Sequence, residues 1–544
     1  MSEHTGDGHR NPEEAEREAR ERIEALMAAA DAPEGAAADA ADAAAEAAED
    51  EREEAETGLR ALLSSALIAG PDPRVADEVR GEDDAPGEES HAAAVAHAKA
   101  EEEVRQIYLD ILTRAPEHDV QPSLERVEAV LDLLGAPHRA YPVVHLTGTN
   151  GKTSTARMIE RLLREKGLHT GRFTSPHLHT VRERIALDGD PIAPEAFVAT
   201  WQDVAPYIAM VDERSQAEGK PRLSFFEVFT VMAYAAFADA PVDVAVVEVG
   251  MGGRWDATNV ADGTVEVLTR IDRDHERWLG YELTQIANEK VGIITDGSTV
   301  VSAEQEEDVA GIIMSAAAQH GARLLRDGDD LAILDRQLGV GGQMLTLRTA
   351  AGVYADVFLP LHGVHQAHNA LLALAAVEAF FGGGALDGGV VEQAFANVDS
   401  PGRLEVVRRS PTILVDAAHN PAGIDALRAA VEEAFGFSHL VGVVGIMADK
   451  DVEGILSGLE PLLAEIVVTR ATTDRAMDVE ELAEVAVDVF GEDRVHVAER
   501  LDDAIDRAVT LAERDPDEVV TTTGVLVAGS VILAAEVRAL MGRS

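Results

Sequence analysis

In the stretch HLTGTNGKTST, from His145 to Thr155, two glycines, a lysine and a hydroxyl stand in an order suited to holding phosphate. Gly148 and Gly151, with Thr149 and Asn150 between them, let backbone N–H groups turn inward around phosphate oxygens. Lys152 supplies a point charge for β- and γ-phosphates, Thr153 a hydroxyl for Mg2+, and a following helix the positive end of its dipole. The common spacing G-x-x-x-x-G-K-[ST] would put glycine at 146, where this chain has Leu146, so the loop is a shortened form. The bland alternative is a tight turn before a helix. An apolar strand in front (YPVVHLT) and a helical run behind (TSTARMIERLLREKG) favour the nucleotide loop.

Further reactive groups recur at strand ends. VVEVGMGGRWDATN places Glu248 at the end of an apolar run, beside Gly250, Gly252 and Gly253. A buried carboxylate needs a partner, and the Mg2+ of a nucleotide is a natural one. His275 follows the run VEVLTRI, and Lys290 follows in ANEKVGII. Glu248, His275 and Lys290 would suit a second metal site, and spacing alone leaves a structural histidine equally open. In SPGRLEVV, Arg403 could clamp a phosphate with its planar fork. In VDAAHNPAG, Asp416 could accept from a ribose hydroxyl, with His419 and Asn420 in the same loop.

Composition narrows the classes. Among 544 residues there is no cysteine, which excludes disulfides, thiolate metal sites and a cysteine nucleophile. Only six lysines occur: Lys99, Lys152, Lys166, Lys220, Lys290 and Lys450. Arg carries the positive charge elsewhere, so lysine survives where a compact, modifiable amine is needed, and Lys290 and Lys450 invite attention. A formal net charge of -53 would repel nucleic acid. Acidic residues run through the whole chain, as in LLRDGDDLAILD, which favours a surface adapted to a salty cytosol over an acidic tail alone. The first residues show no signal-peptide pattern, and no apolar run approaches the ~20 residues of a membrane helix. The expectation is a soluble, cytoplasmic protein with no membrane and no nucleic-acid partner.

These groups need elements to hold them. Residues 1–100 are rich in Ala, Glu and Asp without an apolar stripe, and read as an acidic low-complexity extension. From EEEVRQIYLDILTR the pattern becomes globular, and Leu124, Val127, Val130, Leu131 and Leu134 mark a helix stopped by Gly135. Strands and helices alternate to about residue 395. PTILVDAAHN, HLVGVVGIM, AEIVVTRA, DRVHVA and VLVAGS then form a second α/β unit of parallel character.

TGTNGKTST, TSPHLHTVRERI, FFEVFTVMAY, VEVGMGGRWDATN, DHERWLG, NEKVGII, LHGVHQAHNA, PGRLE, VDAAHNPAG, GIMADKD and VAGSVILAAEVR occur in order. As a set they resemble the folylpolyglutamate synthase/dihydrofolate synthase family of the Mur ligase superfamily, from about residue 105 onward. The resemblance implies an α/β chain with a P-loop Mur-ligase-type central ATPase domain (101–398) and a smaller Rossmann-like C-terminal domain (399–544), after an acidic N-terminal extension (1–100). It implies an ATP-dependent ligase that activates a pterin or folate carboxylate as an acyl phosphate and joins it to L-glutamate. Lys152 and Thr153 would handle phosphate and Mg2+. Thr153, Ser175 and Glu248 would hold a first Mg2+, and His275 a second, with K+ a further candidate ion. Lys290 resembles a lysine often found carbamylated. Asn369, Arg403 and Asp416 would contact ATP, and His419 the incoming glutamate. Ser175, Pro176 and His177 would border the pterin and carboxylate. Glu276 and Ala417 depart from the family's usual Thr and Gly without removing a ligand. The chain is expected to act as a monomer. The alternatives are a Mur-type ligase on another carboxylate and a catalytically silent nucleotide-binding regulator.

Overall fold

The computed structural model describes residues 88–116, 122–514 and 522–543. The expected extension therefore lies mostly outside the described residues. Its boundary at 100 falls inside helix α1 (Glu88–Ile111), in which Ala100, Val104 and Ile111 are buried. That correction follows from apolar positions too sparse to show against an Ala- and Glu-rich background. Helix α2 (Glu125–Leu133) buries Val127, Val130 and Leu131, and Gly135 beyond it takes φ 82°, as the stop signal requires.

Strands β1 (Val143–Thr147), β2 (Thr170–Phe173), β3 (Ile185–Leu187), β4 (Asp190–Pro191), β5 (Val244–Glu248), β6 (Gly263–Leu268), β7 (Thr299–Ser302) and β8 (Arg323–Arg326) form one sheet, in the order β4-β3-β2-β5-β1-β6-β7-β8. All pairs are parallel except β2–β3 and β3–β4. β1 and β5 are wholly buried, because both faces are covered, and so read as unbroken apolar runs. Val144, Leu146, Val244 and Val246 pack with Ala156, Ile159 and Leu162 of α3 (Lys152–Glu165) and with Ala367, Ala370 and Leu374 of a later helix. Val143, Ala245 and Val247 face the other way, onto Val228, Phe229 and Met232, together with residues of α4 (Pro194–Ala217). Those three belong to α5 (Phe225–Asp239), which opens with a capping box between Ser224 and Glu227. The order of the strands matters more than their number. β5, β1 and β6 are neighbours, with Leu146 opposite Glu248 and Thr147 opposite Leu268, so their C-terminal ends open onto one edge. That is where open α/β sheets bind ligands.

After helix α6 (Leu283–Lys290) and the last two strands of this sheet come three strands the sequence did not announce. β9 (Ala332–Gly339), β10 (Gly342–Arg348) and β11 (Val353–Leu359) form a separate antiparallel sheet. Its outward residues include Leu334, Leu338, Met344 and Val353, so apolar/polar alternation is blurred and the strands do not stand out. Helix α7 (Val364–Phe380) then returns to the central sheet.

The third sheet runs β12 (Glu405–Arg409), β13 (Thr412–Val415), β17 (Thr523–Ala528), β14 (His439–Val444), β15 (Glu465–Val468) and β16 (Val495–Val497), parallel except for β12–β13. All five strands expected in this region are present. One face packs on Ile424, Leu427 and Val431 of α8 (Pro421–Ala434), the other on Leu533, Ala534 and Val537 of α9 (Val531–Leu540). Helices on both faces of a mostly parallel sheet make this unit Rossmann-like. Among the described residues no helix is long and apolar enough to cross a membrane.

Candidate active site

The phosphate loop is squeezed between two elements, and the squeeze explains its glycines. Gly148 has φ 149°, and a Cβ there would lie 1.8 Å from Thr269 Oγ1 at the end of β6. Gly151, at the N-terminus of α3, has φ 90°, and a Cβ would lie 2.6 Å from Asn369 Oδ1 on α7. Asn369 therefore sits against the loop, and its amide donates to Gln366 at 3.1 Å. Thr149 donates to the Asp272 carbonyl at 2.8 Å, fixing the loop to the segment after β6.

Two lysines converge on this loop. Lys152 Nζ lies 3.2 Å from the Gly148 carbonyl and 3.1 Å from that of Thr149. Lys290, last residue of α6 and 4% exposed, donates to the same Gly148 carbonyl at 2.6 Å. Burial, and then the neighbouring Lys152 charge, lowers Lys290 to about 7, while Asp274, Asp256 and Glu289 pull the other way. Beside it lies a void of about 10 Å3, bordered also by His275 and Gly250.

Glu248 ends β5 and is 2% exposed. Thr153 Oγ1 donates to its two oxygens at 2.9 and 3.1 Å. Burial raises its pKa against the opposing pull of Lys152, Thr153, Arg403 and the Ser175 backbone N–H. A carboxylate so buried and under-compensated fits a cation. Thr153, Glu248 and Ser175, completed by phosphate oxygens and water, would suit Mg2+, which keeps few protein ligands in nucleotide sites. Among the described residues no three His, Asp or Glu side chains gather as a ready-made metal cluster. His275 stands in the same cleft with φ 53°, its pKa lowered first by burial, and its Nε2 is 4.0 Å from Asp274 Oδ2.

The sequence reading missed Asp274. Its carboxylate receives Lys450 Nζ at 2.6 Å and Asn420 Nδ2 at 2.9 Å, and lies 3.5 Å from His419 Nε2. Burial alone would raise it, but His419, His275 and Lys450 outweigh that and hold it well below the carboxylate range. Asn420 also exchanges side-chain hydrogen bonds with Asn150 of the phosphate loop, at 3.1 and 3.2 Å. The rare lysine at 450 was the available signal, but its partner could not be read from spacing.

The C-terminal domain supplies the facing wall. Asp416 directly follows β13 and accepts from the Leu404 and Ala418 N–H groups, each at 2.7 Å. Both oxygens are thus anchored, and a ribose hydroxyl would be an added donor. His419 Nδ1 lies 3.0 Å from the Ala417 carbonyl, which turns Nε2 toward Asp274. Arg403 lines the cleft and its charge acts on both Glu248 and Asp416. Opposite, the segment after β2 contains a cis Ser175–Pro176 bond. Glu183 accepts from the N–H groups of Leu178, His179 and Thr180, each at 2.9 Å, and so shapes this loop. His177 Nδ1 accepts from Arg184 Nε at 2.9 Å, and Arg184 lies over the Phe225 ring. His179 meets Arg538 of α9, which also binds Glu405 at 2.7 Å.

Of the expected site residues, Thr149, Asn150, Gly151, Lys152, Thr153, Ser175, Pro176, His177, Glu248, His275, Asn369, Arg403, Asp416 and His419 line one cleft of about 1250 Å3. Gly148 and Lys290 border the small void behind it. The arrangement can hold a polyphosphate on the central sheet and present a second reactant from the C-terminal domain.

Known proteins share this layout. Residues 146–377 match the Mur ligase middle domain, and residues 402–531 the Mur ligase glutamate ligase domain. A dihydrofolate synthase/folylpolyglutamate synthase of Mycobacterium tuberculosis is 51% identical over 448 residues, covering 79% of this chain and 92% of that protein. The chain belongs to the folylpolyglutamate synthase/dihydrofolate synthase family. As a member it is an ATP-dependent ligase joining an acid to an amino acid. The solved structure of Mycobacterium tuberculosis folylpolyglutamate synthase complexed with ADP superposes with a TM-score of 0.79 at 49% identity, covering 82% of this chain and 99% of that one. E. coli FolC in complex with DHPP and ADP superposes with a TM-score of 0.67 at 28% identity, covering 78% and 94%.

Proposed function

We propose that this family member joins L-glutamate to a pterin or folate carboxylate through an acyl phosphate. The observation that carries the reading is one cleft in which the phosphate loop and Glu248 face Arg403, Asp416 and His419 of the glutamate ligase domain. A carboxylate is a poor acylating agent, so a phosphoryl group must first turn its oxygen into a leaving group. ATP is the phosphoryl donor. Lys152, the loop N–H groups and Arg403 hold its phosphates and offset charge as the γ-phosphoryl moves. Thr153, Glu248 and Ser175 would hold Mg2+, which would supply charge neutralisation at the phosphates, and His275 would serve a second ion. Asn369 and Asp416 orient the nucleoside. Ser175, Pro176 and His177 border the acceptor acid, and His419 faces the incoming glutamate. Its amine attacks the acyl carbonyl, the C–N bond forms, and phosphate leaves with the electron pair of the broken C–O bond.

The same reading takes the chain as a monomer of the cytoplasm, adapted to high salt, with a central domain that runs from α1 to residue 398 and a second domain of residues 399–544. The decisive experiment offers ATP, Mg2+ and L-glutamate with dihydropteroate, a folylmonoglutamate or a longer polyglutamate, and measures phosphate and product mass. Glutamylated product from one of these acids is expected. Product only from an unrelated carboxylate would favour another Mur-type ligase, and no turnover with any acid would favour a silent nucleotide-binding regulator.

A further inference from the structure

Three of the six lysines of this chain sit at one cleft. Lys152 and Lys290 serve the phosphate loop. Lys450 does not, because its Nζ lies 2.6 Å from Asp274 Oδ1, and both side chains are only 8% exposed. Asp274 follows β6 of the central sheet, whereas Lys450 follows β14 of the C-terminal sheet, so the pair bridges the domains.

The bridge is built from more than one bond. Asp274 Oδ1 also accepts the His275 backbone N–H at 2.7 Å, which fixes the carboxylate on its own segment. Its Oδ2 accepts from Asn420 at 2.9 Å. Asn420 caps α8 by accepting from the Gly423 N–H at 2.8 Å and reaches Asn150 of the phosphate loop. One carboxylate thus gathers Lys450, Asn420 and the edge of His419 at the point where the two halves of the reaction must meet. A buried ion pair adds little net stability, and its better-attested use is to fix one arrangement out of several.

We propose that the Asp274–Lys450 pair is a positioning clasp that sets the distance between the acyl phosphate held by the central domain and the amine held by the C-terminal domain. The inference rests on the ligase reading above. An acyl phosphate has two fates. The glutamate amine attacks its carbonyl, forming C–N, losing a proton and releasing phosphate. Alternatively water attacks the same carbonyl, returning the free carboxylate and phosphate with no amide. Aminolysis depends on placement to within about an ångström, where an error can cost on the order of 100-fold, whereas water needs no placement. Loosening the clasp should therefore leave phosphoryl transfer running and divert its product to hydrolysis. The domains remain joined through Asn150–Asn420, His179–Arg538 and the Arg336–Glu433 pair, so one clasp can be removed without parting them.

The test measures phosphate and amide product in the same reaction, at saturating glutamate, in the full-length protein with the acceptor acid it uses. Wild type should give a ratio near one. Lys450→Gln should raise phosphate released per amide formed by at least about fivefold, with KM for ATP within about twofold of wild type. Asp274→Asn should raise the ratio in the same direction, and the double variant should be no worse than the more affected single one, since the two residues act as a unit. Lys450→Arg, which keeps the charge, should recover most of the coupling. A ratio that stays at one in both single variants, whether KM for glutamate rises or ATP binding is lost, overturns the clasp and makes Lys450 a substrate contact or a plain structural residue. A wild-type protein that makes no amide from any pterin acid overturns the ligase reading instead.

Discussion

Lys290 ends a helix with its ammonium against the Gly148 carbonyl and almost no water around it. Lowered to about 7 by burial and by Lys152, it holds a substantial share of free amine at neutral pH, where an ordinary lysine holds almost none. Only the free amine adds CO2, and we propose that this lysine takes up the carbamate the resemblance implied. The adjacent void of about 10 Å3 holds roughly one water, so the loop must shift to admit the added group. Activity is expected to fall severalfold in CO2-free buffer and to return with bicarbonate, while Lys290→Arg stays low under both conditions. Uptake of labelled CO2 should rise as pH goes from 6 to 8. Activity indifferent to bicarbonate would show that the amine itself is the working group. At this scale the sequence was readable where chemistry is local. Gly148 to Thr153 announce themselves within six residues. Asp274 does not, because Asn420 and Lys450 are 146 and 176 residues away.

Among the elements, β1, β5 and the strands β13, β14, β15 and β17 were readable because parallel strands buried on both faces become unbroken apolar runs. The β9–β11 sheet was not, since Leu334, Leu338 and Met344 face solvent where alternation would call for polar residues. Helix α1 makes the same point at the N-terminal boundary. His97 Nδ1 lies 3.3 Å from Glu195 and Arg182 binds Glu101 at 2.7 Å, so this helix is tied to α4 and to the segment before β3. Removing residues 1–87 should leave ligase activity and melting temperature nearly unchanged. Removing 1–100 cuts into α1, takes away buried Ala100 and should lower the melting temperature by a few °C. Equal melting temperatures for the two truncations would show that the first half of α1 contributes nothing. β6 hides another consequence. Glu266 is buried, with Oε2 unpartnered, and burial raises it to about 7. Between its unfolded value of 4.5 and about 7 the folded chain keeps a proton that the unfolded chain loses. Its contribution is therefore full below pH 4.5 and is lost as pH rises through 7. Glu266→Gln should flatten that dependence and add about 2 kcal/mol at pH 8, read by urea unfolding at pH 5 and pH 8. An unchanged slope would mean that Glu266 ionises normally in the fold.

For the whole molecule the governing quantity is charge. Residues 1–87 carry 25 acidic and 8 basic side chains, a net -17, which leaves -36 of the total -53 on residues 88–544. Acidity is thus a property of the folded body as well as of its leading segment. Self-repulsion of that size opposes compactness in dilute buffer, and molar salt shortens the screening length to ~3 Å. The melting temperature should therefore rise from dilute buffer into molar KCl, and it should do so in the chain lacking residues 1–87 as well. The cleft responds differently. Lys152 and Lys290 meet the phosphate loop, and the Asp274–Lys450 pair is 8% exposed on each side, so these interactions are screened less than pairs in open water. ATP affinity should consequently weaken far less across the same salt series than the exposed Lys99–Glu103 or Arg500–Asp502 pairs would. Thermal melts and ATP titrations over one KCl series read both effects. A melting temperature that is flat or falls with salt in the truncated chain would remove the salt-adapted reading and leave the acidity to residues 1–87 alone.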